Sequence, residues 1–125
     1  MEITADELQA LQEGAATIIN VGNHAGSREI RNAIRYRPHD LLEPTHLVLP
    51  IAPEKLVVLY DERGGGDQTT RIAERLRADG YADVRILQGG FDAWERAGGA
   101  TQEPSLEQVV PPTRSDEVQQ LDRRI

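Results

Sequence analysis

The chain has 125 residues, enough for one domain around a single core. Apolar residues make up 38%, which suffices for a compact globule. The net charge of −7 disfavours nucleic acid or an anionic membrane as the main partner. There is no cysteine, which excludes disulfides, a thiolate nucleophile and thiolate metal ligands. No apolar run reaches the roughly 18 residues of a membrane span, and "MEITADELQ" lacks the basic and apolar regions of a signal peptide. The expectation is a soluble, cytoplasmic protein.

In chain order, "ITADELQALQEG" predicts a helix. Thr4 can cap it, Glu7 completes a capping box, Leu8 and Leu11 share a face, and Gly14 is a stop signal. "ATIINVG" predicts a strand ending at Val21–Gly22. Residues 23–32 are polar, with room for a short helical turn. "AIRYRP" predicts a second strand closed by Pro38. The prolines of "HDLLEPTHLVLPIAP" forbid a long helix, so a short helix or turn and an irregular approach are expected there. "KLVVLYD" has the continuous apolar run of a central parallel strand. A helix starts near Asp67, turns Ile72, Ala73 and Leu76 inward and stops at Gly80. "ADVRIL" is another strand, and "FDAWERAG" a short helix after Gly89–Gly90. This alternation predicts an α/β domain with a mostly parallel sheet over residues 1–103.

Residues 104–125 change character. Pro104, Pro111 and Pro112 precede "RSDEVQQLDRRI", in which Ser115 can cap a short helix carrying Val118, Leu121 and Ile125. With Val109 and Val110 this tail is expected either to pack as an arm, on its own body or in a homodimer, or to be partly disordered.

Two segments hold the candidate site residues. "SREIRNAIRYR" supplies Arg28, Arg31 and Arg35, read either as a solvated face or as ligand or partner contacts of an anion site. The loop "DERGGGDQT" comprises Asp61, Glu62, Arg63, Gly64, Gly65, Gly66, Asp67, Gln68 and Thr69. It follows the central strand, at the end of a parallel sheet where ligands bind. Its glycines let backbone N–H groups turn inward, and the next helix adds its positive end, so the loop favours an anion. Asp61 can supply that anion itself. Alternatively, Asp61 or Asp67 merely caps the loop and helix. The pattern is neither a P-loop nor a dinucleotide fingerprint. His24, His39 and His46 show no i, i+4 pairing, so neither a metal nor a cofactor is expected.

Several segments together resemble a rhodanese-like (thiosulfate sulfurtransferase homology) domain over about residues 3–100. "ITADELQALQEGAATIINVG" is similar to the family's opening helix and first strand, which usually ends in Asp-Val-Arg. "REIRNAIRYRP" is similar to the segment usually reading Gly-His-Ile-Pro-Gly-Ala. "KLVVLYD" resembles the strand that delivers the catalytic cysteine. "GYADVRILQGGFDAWERAG" resembles the closing block, with Gly89, Gly90, Phe91, Ala93 and Trp94 in place. The resemblance implies a three-layer α/β domain with a mostly parallel five-stranded sheet flanked by helices.

It also puts the family's persulfide-carrying cysteine at Asp61, in a loop longer than usual, and replaces the usual Asp and Arg of the first strand by Asn20 and Gly22. A carboxylate cannot accept sulfane sulfur as a soft thiolate does. The implied function is a catalytically silent binding or regulatory module, similar to the Asp-bearing half of tandem rhodaneses. Its partner would be an unidentified protein, a sulfur-handling enzyme among the options. Two alternatives stay open. One is an enzyme that uses Asp61 on a phosphate or sulfate ester, with Arg28, Arg31, Arg35 or Arg63 binding the anion. The other is a member grouped with the sulfurtransferases without that activity.

Overall fold

The computed structural model describes residues 2–12, 14–22, 28–42, 49–62, 66–103 and 107–108. In chain order the elements are β1 (Glu2–Ile3), α1 (Ala5–Ala10), β2 (Ala16–Asn20), β3 (Glu29–Ile30), β4 (Ile34–Tyr36), α2 (Pro38–Leu42), β5 (Leu56–Tyr60), α3 (Asp67–Ala78), β6 (Asp83–Leu87), α4 (Gly90–Arg96), β7 (Thr101–Gln102) and β8 (Glu107–Gln108). The main sheet runs β1-β6-β5-β2-β4-β8 with every pairing parallel, and β3 pairs antiparallel with β7. The expected five-stranded parallel sheet is present, and β8 adds a short sixth strand at the β4 edge.

β5 lies between β6 and β2, which explains its unbroken apolar sequence: a central parallel strand is buried on both faces. Alternate residues serve two cores. Val57 and Leu59 pack with Leu41 of α2 and Ile72, Ala73 and Leu76 of α3. Val58 and Tyr60 pack on the other face with Leu8 of α1 and Phe91 and Trp94 of α4. The helices thus cover both faces, giving three layers. Each fully buried Ile or Leu of α3 contributes about 1.5–3 kcal/mol by leaving water.

Local signals explain the helix ends. Thr4 Oγ1 accepts the Glu7 N–H at 3.1 Å, and Glu7 Oε1 accepts the Thr4 N–H at 2.9 Å, closing the capping box on α1. That helix ends earlier than Gly14 suggests. Its cap is Leu11 in an extended conformation, and Gly14 (φ +85°) belongs to the link into β2. Pro38 opens α2 rather than simply closing β4, since its fixed φ suits a first helical position.

Residues 23–32 left room for a short helical turn; within them Glu29–Ile30 form β3, because β7 returns to pair with them, and residues 23–27 lie outside the described part. Of the tail, only Glu107–Gln108 fall within it, so the expected cap at Ser115 and the helix beyond it lie outside. Among the described residues no helix is long and apolar enough to cross a membrane.

Candidate functional site

β5 ends at Tyr60 and delivers Asp61 at the C-terminal edge of the sheet, in front of α3. Asp61 is half-buried. Its Oδ2 accepts the Thr69 hydroxyl at 2.7 Å and the Gly66 N–H at 3.2 Å. Gly66 is the N-cap of α3 and offers no side chain, so the Asp61 carboxylate serves as an anion at the positive helix end. Thr69 is buried in the first turn and aims its hydroxyl inward. The loop base is also tied to α4: the Asp61 carbonyl accepts the Phe91 N–H at 2.9 Å, and the Glu62 carbonyl accepts the Asp92 N–H at 3.0 Å. Gly89, at φ +75°, makes the left-handed turn that lets α4 start there.

The other loop residues are arranged differently. Asp67 and Gln68 are exposed, and the Asp67 carboxylate is held by Arg71 at 2.7 Å. Arg63, Gly64 and Gly65 lie outside the described residues. The three arginines are engaged in different ways. Arg28 clasps β7, donating to the Thr101 hydroxyl at 2.8 Å and its carbonyl at 3.0 Å, with Glu103 at 3.6 Å. Arg31 is exposed in the turn between β3 and β4. Arg35 is in β4, in register with Asn20 of β2, which is itself in register with Tyr60.

Sequence reasoning missed a buried polar group beneath the loop. Glu29 is fully buried, at 0% exposure, inside a segment that reads as a basic surface. Asn20 Nδ2 donates to its Oε2 at 3.2 Å, and Gln102 Nε2 donates to its Oε1 at 2.9 Å. Asn20 Oδ1 accepts the Gly22 N–H at 2.9 Å, and the Tyr60 hydroxyl accepts the Ile30 N–H at 3.1 Å. Burial pushes the Tyr60 phenol far up, with the nearby Glu29 adding to the shift, while the Ile30 N–H and Arg35 oppose it. The hydroxyl therefore stays protonated. The one signal in the sequence was Asn20 at the end of an apolar strand, a polar side chain that must find a partner if buried. Among the described residues no group of three or more His, Cys, Asp or Glu side chains is placed to hold a metal ion.

The rhodanese-like domain family model matches residues 4–97, and the chain belongs to that family. Among solved structures, the Alr3790 protein from Anabaena sp. is 22% identical and matches with a TM-score of 0.65, over 98% of this chain and 90% of that one. SseA from Escherichia coli, described as a 3-mercaptopyruvate sulfotransferase, is 19% identical with a TM-score of 0.63, over 98% of this chain and 61% of its own. RPA3614 from Rhodopseudomonas palustris, a protein of unknown function described as a possible tyrosine phosphatase, is 24% identical with a TM-score of 0.62, over 81% and 83%. At these identities the likeness is one of fold. The comparison with curated proteins gives no match.

Proposed function

We propose that this protein is a catalytically silent rhodanese-like module that binds a partner, with Asp61 standing where active members carry sulfur on cysteine. The observation behind this reading is the absence of any cysteine from a chain of the family. Sulfur transfer through a persulfide needs a polarisable thiolate as nucleophile and carrier, and a carboxylate cannot replace it. In support, the Asp61 carboxylate is engaged by Gly66 and Thr69 at the head of α3. A group used in that way is committed to the start of α3. The partner would be a protein that meets the loop, a sulfur-handling enzyme being the natural class.

The test is a pair of activity assays and a capture. Purified protein should transfer no sulfur from thiosulfate to cyanide and should release no phenol from p-nitrophenyl phosphate or sulfate. It should retain a sulfurtransferase from a lysate of its source, and that retention should weaken when Glu62 and Gln68, exposed on the loop, are changed to alanine. Turnover of either substrate class would refute the silent reading. Capture that survives the loop changes would refute the loop as the docking surface.

A further inference from the structure

A second concavity lies on the other end of the domain. It is lined by Ala16 and Ile18 of β2, by Leu11 and Trp94, and by Arg31 together with the polar Gln12 and Asn32. The cavity measures about 350 Å³, within the size range of small-molecule sites. It is distinct from the loop. Ala16 pairs with Leu56, at the start of β5, so Asp61 lies roughly 16 Å further along the strand direction.

The lining specifies the chemistry of an occupant. Leu11 is the exposed large apolar side chain of the described part, at 37%, and it caps α1 at the rim of this cavity. The Trp94 indole N–H is already given to the Ala100 carbonyl at 2.8 Å, so the ring offers the cavity only its apolar surface. Arg31 uses its backbone N–H on the Ala100 carbonyl, but its guanidinium makes no hydrogen bond or ion pair with the described residues. A cavity whose lining is part apolar and part polar, with a guanidinium that has no partner among the described residues, is complementary to a molecule with an apolar body and one carboxylate. We propose that this cavity binds a small amphiphilic monocarboxylate. Its body lies over Ala16 and Ile18 between Leu11 and Trp94, and its carboxylate meets Arg31. This site is independent of the reading of Asp61.

The test is an amide-resolved NMR titration of the full chain with octanoate and, separately, with 1-octanol. Arg31 is exposed, so the Arg31→Gln variant keeps the fold and serves as the control. In the wild type, octanoate should give saturable shifts at Leu11, Gly14, Ala16 and the Trp94 indole N–H. Arg31→Gln should weaken octanoate about tenfold, the scale of one charge-assisted contact, and leave 1-octanol unchanged. The proposal is overturned by shifts that do not saturate, by shifts centred on residues 61–69, or by equal effects of Arg31→Gln on both probes.

Discussion

The Thr69–Asp61 hydrogen bond offers a direct measure of what the loop carboxylate does. Thr69→Val keeps the shape of a side chain that is 2% exposed and removes only the hydroxyl that Asp61 accepts at 2.7 Å. A hydrogen bond to a charged group contributes about 1.5–3 kcal/mol. Asp61 is only half-buried, so water takes over part of the lost contact and the expected cost is about 1.5 kcal/mol. For a domain of this size that lowers Tm by roughly 6 °C. In an Asp61→Ala background the same change removes a donor that no longer has this acceptor and should cost little, giving a coupling of about 1 kcal/mol. Urea unfolding followed by fluorescence of Trp94, the single tryptophan, gives the numbers, with an unchanged m as the check on two-state behaviour. If the two substitutions simply add, within about 0.5 kcal/mol, the carboxylate does not depend on Thr69 and the described geometry of the loop is wrong.

Gly66→Ala should destabilise the wild type, because the new Cβ would sit 3.1 Å from Asp61 Oδ2. In Asp61→Ala that close approach is gone, and only the modest loss of alanine against glycine at an N-cap remains, so the same change should cost less there, and the difference in urea midpoints is the readout. Glu7 is held below the usual carboxylate range, chiefly by the Thr4 backbone N–H and then by the Thr4 side chain. A depressed carboxyl stabilises the fold above its unfolded value and loses that contribution as pH falls through the folded one. Melting should therefore drop more steeply below about pH 4.5 in the wild type than in Glu7→Gln. Deleting residues 104–125 removes β8 and uncovers the β4 edge, so the truncated chain should melt lower or self-associate; identical melting and sedimentation would discard the arm. In Asp61→Cys the thiol meets the donors Gly66 and Thr69 at a helix start, so it should have a pKa below about 8.5 and alkylate faster than a cysteine in an unfolded peptide.

The parts of this structure that were legible in the sequence are those whose cause is local. The Thr4–Glu7 capping box, the unbroken apolar run of β5 and the inward spacing of Ile72, Ala73 and Leu76 each follow from a few neighbouring residues. What was not legible depends on partners far along the chain. Glu29–Ile30 form a strand only because Thr101–Gln102 return to meet them, and Glu29 is buried because Asn20 and Gln102 solvate it. Arg28, Arg31 and Arg35 look like one patch in a linear reading. In the fold each is used differently: Arg28 bonds Thr101 with its side chain, Arg31 bonds Ala100 through its backbone, and Arg35 lies in β4 beside Asn20 of β2. The tie between α4 and the backbone of Asp61 and Glu62 was equally invisible, since carbonyls carry no sequence signature.

These non-local ties bear on how a rhodanese-like chain can do without its cysteine and keep its fold. The ties that hold the loop base, Phe91 to the Asp61 carbonyl and Asp92 to the Glu62 carbonyl, are made by the backbone and are indifferent to the side chain at that position. The head of α3, by contrast, has N–H groups without helical partners and favours a negative group whatever its chemistry. A carboxylate meets that requirement as well as a thiolate does, yet it cannot form a persulfide. The polar group underneath follows the same logic. There the amide of Asn20 donates to the carboxylate of Glu29. Glu29 also accepts from Gln102, so its buried carboxylate has a partner on each oxygen. On the proposed reading of Asp61, an Asp61→Cys change would introduce a reactive thiol there and nothing else. Rapid alkylation without sulfur transfer is the outcome this structure predicts.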